Sequence, residues 1–172
     1  MRCFVAVWPT DPVRAVLRAL PRPVVPGVRW STEDQWHVTL DFLGDVPIGQ
    51  LAEVTEVLGA VATGLGGPLT VSLGPRTEIL GPRVLCVAAS GLDQPARAVR
   101  LATAGLGDHA EREPFFGHLS VARGRWGIPR GLIGRALSAS WVAEELCLVG
   151  STLGPAGARY ETVSRFFAGR AI

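Results

Sequence analysis

The stretch Trp36-His37-Val38-Thr39-Leu40-Asp41-Phe42-Leu43-Gly44, "WHVTLDFLG", decides how the chain is read. Its apolar and β-branched residues predict a strand over 36–43. Side chains on a strand alternate between faces, so Val38, Leu40 and Phe42 form an apolar face for a core. His37, Thr39 and Asp41 then share the other face. One side of the strand offers an imidazole beside a hydroxyl. By the same alternation Asp41 could repel an anion there or hold an arginine; at the strand end it is expected to lean to solvent.

The pattern recurs 81 residues later, in "FFGHLSVAR" (115–123). Leu119 and Val121 oppose His118 and Ser120. Around these two strands the predicted order repeats. Strand, helix, strand and helix occupy 2–62, and a comparable order occupies 83–138. In the first set, "RCFVAVW" (2–8) reads as a buried strand. A helix follows, capped by Asp11 with Pro12 in its first turn and a stripe of Val13, Val16, Leu17 and Leu20. A second helix covers roughly 48–62. Strands are predicted at 69–80 and 83–90, a helix at 92–106 and a short helix at 128–138. Two strands flank "GPAG" (154–157) as a hairpin or a pair of edges.

A chain of 172 residues, 48% of them hydrophobic, has material for a sizeable core. The net charge of +2 announces no broad basic field. All 17 basic residues are arginine, so a cation meeting a phosphate here is a guanidinium or an imidazole. Cys3, Cys86 and Cys147 lie far apart in apolar runs without a C-x-x-C, which predicts buried reduced thiols. The apolar start "MRCFVAVWP" stops at Pro9, and no apolar run approaches the ~20 residues of a spanning helix. The expectation is a soluble, cytoplasmic monomer, one domain over residues 1–172, with no membrane partner.

Two imidazole–hydroxyl pairs facing each other across a groove suit in-line displacement at phosphorus. Imidazole titrates near ~6.5, so one neutral and one protonated histidine can serve as base and acid. The hydroxyls can donate to the non-bridging oxygens. Neither a metal nor a cofactor is required, and the scattered histidines lack an H-x-x-x-H or D-x-D cluster. Each imidazole must come within hydrogen-bond reach of its reacting oxygen, which puts the two nitrogens roughly 6–9 Å apart. G-x-S-x-G and G-x-x-x-x-G-K-[ST] are both absent.

The motifs His37–Leu40 and His118–Val121 resemble the paired H-x-[ST]-x of the two-histidine (2H) phosphoesterase superfamily. Within it, the chain is similar to the RNA 2′,3′-cyclic phosphodiesterases, also called 2′-5′ RNA ligases. "RCFVAVWP", "RWSTEDQWHVTLDFLGDV" (29–46), "PFFGHLSVAR" (114–123) and "GPAGARYETVSRF" (154–166) match the family's blocks in order. The resemblance implies an α+β fold of two pseudo-symmetric lobes, each an antiparallel sheet with outer helices, flanking a central cleft. It implies His37 as the proton donor to O3′, His118 as the proton acceptor from water, and Thr39 and Ser120 as phosphate ligands. The implied partner is RNA or an oligonucleotide ending in a 2′,3′-cyclic phosphate, opened to a 2′-phosphate, with 2′-5′ ligation as the reverse. The alternatives are a 2H enzyme for small cyclic nucleotides or 2′-5′ oligonucleotides, and a non-catalytic RNA-end binder.

For Arg123 the two readings differ: the resemblance puts it in the site, whereas alternation from His118 puts it on the opposite face. Phe42, Trp36 and Phe116 are expected to pack rather than stack on a base. Arg29 and Trp30 could rim the cleft, Arg159 and Tyr160 are expected to be structural, and His109 is expected in a solvated loop. Gly117, where the family commonly has proline, predicts a looser entry to the second strand.

Overall fold

The computed structural model describes residues 1–108, 114–154 and 157–170. In chain order the elements are β1 (Arg2–Val7), α1 (Asp11–Ala19), β2 (Val28–Trp30), β3 (Val38–Asp45), α2 (Leu51–Gly64), β4 (Leu69–Leu80), β5 (Val84–Ser90), α3 (Asp93–Ala102), β6 (His118–Gly124), β7 (Ala139–Ala143), β8 (Glu145–Gly154) and β9 (Gly157–Phe167). The strands form one antiparallel sheet in the order β7-β4-β5-β6-β3-β1-β8-β9, with β2 alongside β6. Each half of this order starts at the centre with one of the two motif strands, β6 or β3. β6, β5, β4 and β7 make one lobe, and β3, β1, β8 and β9 make the other.

Among the described residues, β3 and β6 join the two lobes at one strand pairing, Val38 opposite Leu119. Beyond it β3 departs, and β2 covers β6 with Arg29 opposite Arg123 and Trp30 opposite Ala122. Ser31 donates its N–H to the Val121 carbonyl at 2.9 Å. The backbone of β6 is thereby satisfied where the lobes part.

β1 is apolar on both faces because both are covered. Cys3, Val5 and Val7 join the main core with Leu17, Val38, Leu40, Leu58, Leu119 and Leu146. Phe4 and Ala6 join a smaller cluster with Cys147 and Val149, against which Trp8 and Tyr160 pack. α1 buries Val13 and Leu17 and lies against β7. α3 buries Ala96 and Val99 and lies against β3. Each of these helices therefore leans on the lobe that does not contain the strand preceding it.

Three expectations change. Thr10, not Asp11, is the residue before the first helical turn, and its carbonyl accepts from Arg14 N at 2.9 Å. Residues 128–138 are not a helix: only a 3₁₀ turn at Arg130–Leu132 forms. Buried Thr77 takes up the backbone that a helix would use. It exchanges hydrogen bonds with Gly134 and Arg135, and its hydroxyl donates to the Leu132 carbonyl at 2.7 Å. The short strands β2 and β7 lack a readable alternation over enough residues to be predicted. The segment 154–157 closes a hairpin, β8 against β9, whose residues 155 and 156 lie outside the described residues, as does His109.

Gly117 is pinned rather than loose. A Cβ on it would collide with the Ala89 carbonyl oxygen, and its own carbonyl accepts from Ala89 N at 2.8 Å. Cys3, Cys86 and Cys147 are buried and free. Burial, reinforced by Glu78 and Glu145 respectively, pushes Cys86 up to about 11 and Cys147 up to about 12, so both remain thiols near neutral pH. No described helix is long and apolar enough to cross a membrane.

Candidate active site

The site grows out of two bulges. Along β1 and β3, Val5 pairs with Asp41 and Ala6 with Thr39, which leaves Leu40 without a strand partner. Along β5 and β6, Leu85 pairs with Ala122 and Cys86 with Ser120, which leaves Val121 without one. Each bulge falls three residues after its histidine. An extra residue in one strand shifts the alternation of everything after it. Leu40 and Asp41 therefore both turn inward, as do Val121 and Ala122.

This corrects two expectations and decides a third. Asp41 is not on the histidine face and does not lean to solvent; it is buried against α3. The Thr103 hydroxyl donates to its Oδ2 at 2.9 Å, and Arg100 Nε lies 3.7 Å from its Oδ1. Phe42 does not pack in the core: it is 53% exposed and faces the cleft. Arg123 returns to the face of His118, so the alternation argument against it lapses.

His37, Thr39, His118, Ser120, Arg123 and Phe42 line one cavity of about 380 Å³. Arg2, Arg29, Ser31, Gln35 and Tyr160 line it too, and no described lining residue is a carboxylate. In the register set by Val38 and Leu119, His37 falls opposite Ser120 and Thr39 opposite His118. The two histidines are then diagonal neighbours, a relation whose backbone positions lie roughly 7–8 Å apart in an antiparallel pair.

Each imidazole is held the same way. His37 Nδ1 lies 2.8 Å from the Gln35 carbonyl, and His118 Nδ1 lies 2.8 Å from the Phe116 carbonyl. A carbonyl only accepts, so Nδ1 is the protonated nitrogen and Nε2 is left for the cleft. The turn that carries Gln35 is itself clamped. Thr32 N donates to Gln35 Oε1 at 3.2 Å, and Gln35 Nε2 donates to the Ala158 carbonyl at 2.8 Å. Thr32-x-x-Gln35 has the spacing of a capping box, the signal in the sequence that could have located this turn.

The surroundings of the imidazoles differ. His37 is walled by Phe4 at 4.8 Å, Tyr160 at 5.0 Å and Trp8 at 5.4 Å between ring centres. Burial pushes its pKa down to about 4, with the charges of His118 and Arg123 adding to the fall and the Gln35 carbonyl opposing it. His118 meets one described ring, Phe116, stacked at 5.8 Å with an 18° tilt. Phe116 is 46% exposed, so it lies on the histidine rather than in the core. Trp36 packs as expected: it is fully buried, with the Arg22 guanidinium 4.8 Å above its ring. Tyr160 lines the cavity, which its segment did not reveal; Arg159, next to it, is exposed outside it.

Comparison with known proteins agrees with this architecture. Residues 7–72 match the family of LigT-like phosphoesterases. TT0787 of Thermus thermophilus superposes with a TM-score of 0.85 at 29% identity over 98% of each chain. Residues 7–72 thus resemble the LigT-like phosphoesterases in sequence, and the chain shares the fold of its solved neighbours. Escherichia coli LigT complexed with 3′-AMP shares the fold, with a TM-score of 0.79 at 23% identity over 98% of each chain. A curated relative, the RNA 2′,3′-cyclic phosphodiesterase of Geobacillus stearothermophilus, is 34% identical over 103 residues, 56% of this chain. That match spans about a third of the relative's own length, 32%. The curled sheet with few helices is common to this chain and its structural neighbours, and it accommodates the two expected lobes.

Proposed function

We propose that the chain hydrolyses RNA ends bearing a 2′,3′-cyclic phosphate to the 2′-phosphate, through His37 and His118. The observation that carries this is the convergence of both H-x-[ST] motifs, with Arg123, on one cavity free of described lining carboxylates. Thr39 and Ser120 donate to the non-bridging oxygens, and the Arg123 guanidinium balances the phosphate charge. His118 Nε2 takes a proton from water as its oxygen attacks phosphorus. The P–O3′ bond opposite breaks, and His37 Nε2 delivers its proton to O3′. Attack by the 5′-hydroxyl of a second strand in place of water would give 2′-5′ ligation.

Burial keeps His37 neutral in the empty cleft, so its donor role draws on the substrate. A phosphate anion beside Arg123 and His118 offsets the positive field that helps depress His37, and lets it take up a proton. The name of the Geobacillus relative supports the substrate class.

Product analysis on a short RNA ending in a 2′,3′-cyclic phosphate tests the reading. The expected product is the 2′-phosphate. A 3′-phosphate would reverse the leaving oxygen, and absence of turnover would overturn the proposal.

A further inference from the structure

We infer that Gln35 is a positioning residue for His37, and that through it strand β9 sets the direction in which His37 presents Nε2 to the cleft. That His37 then moves a proton rests on the proposed function; the orientation does not.

The rings of Phe4, Trp8 and Tyr160 wall the imidazole but fix only its plane. An imidazole turned over about χ2 fits the same apolar walls and would carry carbon where Nδ1 and Nε2 now stand. The contact that separates the two orientations is Nδ1 to the Gln35 carbonyl, at 2.8 Å. That carbonyl belongs to a three-residue 3₁₀ turn, Glu33–Gln35, a short element whose own hydrogen bonds are poorly aligned. The turn needs support from outside. Arg14 Nη1 holds its start, donating to the Glu33 carbonyl at 2.6 Å. The Gln35 amide holds its end: Oε1 accepts from Thr32 N at 3.2 Å, and Nε2 donates at 2.8 Å to the Ala158 carbonyl on β9, 123 residues away. One residue thus orients the histidine with its main chain and ties itself to β9 with its side chain. β9 also carries Tyr160, whose ring meets that of His37 edge-on. The strand therefore braces His37 twice, once by ring contact and once through Gln35.

His118 is held differently. The Phe116 carbonyl orients it, and the residue between them, Gly117, is fixed by backbone alone. The Gly117 carbonyl accepts from Ala89 N at 2.8 Å, and the Ala89 carbonyl oxygen leaves no room for a Cβ there. Backbone on β5 does for His118 what a side chain does for His37. A single substitution can therefore loosen His37 alone.

Gln35→Met keeps the length of the side chain and removes both of its hydrogen bonds. NMR of the imidazole nitrogens, above neutral pH and without substrate, reads the orientation directly. Wild-type His37 should carry its proton on Nδ1. Gln35→Met should shift His37 toward a mixture of the two tautomers while His118 keeps its signals, which also shows that the variant is folded. On RNA ending in a 2′,3′-cyclic phosphate, Gln35→Met should lower kcat by about tenfold or more and leave KM within about twofold, since a misplaced proton-transfer group costs turnover rather than binding. In a His37→Ala background the same substitution should cost less than about twofold, because no imidazole is left to orient. A residue that merely stabilised the cleft wall would lower activity by the same factor in both backgrounds.

Absence of turnover by wild type, with His37 freed in Gln35→Met, would sink the catalytic reading and leave the positioning role standing. A His37 tautomer unmoved by Gln35→Met, or an undiminished effect of that substitution in His37→Ala, would overturn the inference. So would a wild-type His37 protonated on Nε2.

Discussion

The two motif strands, β3 and β6, share a backbone and differ in what hangs on it. Both carry histidine, then hydroxyl, then a bulge at the third position, and both fix Nδ1 on the carbonyl two residues back. Counting from each histidine, the fourth residue is Asp41 in one strand and Ala122 in the other. The fifth is Phe42 in one and Arg123 in the other. The bulge delivers the fifth residue to the cleft in both cases. One lobe uses that place for an aromatic ring and the other for a cation. A repeated frame can thus supply equivalent positions while the chemistry at those positions diverges, and three consequences test how deep the divergence goes.

The largest concerns the histidines. His37→Ala and His118→Ala should each lower kcat by ~10²–10⁴, the usual worth of a proton-transfer group. They should part company on a p-nitrophenyl phosphodiester, whose leaving group departs without a proton. If His37 is the donor, His37→Ala recovers most of its deficit there while His118→Ala does not. The opposite pattern would exchange their roles.

Next is the fourth position. Asp41 joins β3 to α3 through buried Thr103 and half-buried Arg100, and Asp41→Ala removes that link from a buried place. The loss should be about 2–3 kcal/mol in denaturant unfolding. Ala122→Asp introduces a carboxylate into a fully buried place and should cost at least as much. Equal, small effects at the two positions would show that the bulges need no such anchor.

The smallest concerns pH. His37 binds a proton near 6.5 when unfolded and near 4 when folded, so between those values the unfolded chain holds more protons. Stability should fall as pH drops from about 6.5 to about 4, by on the order of 2 kcal/mol, because the ring retains some contact with the cleft. In His37→Gln that part of the slope should vanish.

Much of this was legible in the chain because periodicity is local. The strands at 69–80 and 83–90, the stripe of Val13 and Leu17, and the pairing of His37 with Thr39 and of His118 with Ser120 follow from neighbours in sequence. The bulges were not legible. An extra residue in a strand leaves the apolar pattern Val38-x-Leu40-x-Phe42 intact and changes only what opposes it, so Phe42 read as core and Asp41 as surface. Arg123 was undecided for the same reason. The irregular course of 128–138 depends on Thr77, more than fifty residues away, whose polar groups no local pattern connects to it. Arg29 and Tyr160 reach the cleft through strand partners, β6 and β8, that only the assembled sheet supplies.

Val38 and Leu119, the middle residues of the two H-x-[ST] tripeptides, are buried in the core and line none of the cleft. They are nonetheless the point at which β3 and β6 lace the halves of the sheet together. The chemistry and the seam thus occupy the same three-residue words. A change of bulk at either middle position would be felt as a change in the bore of the cleft, altering the span between two histidines whose own identities remain untouched.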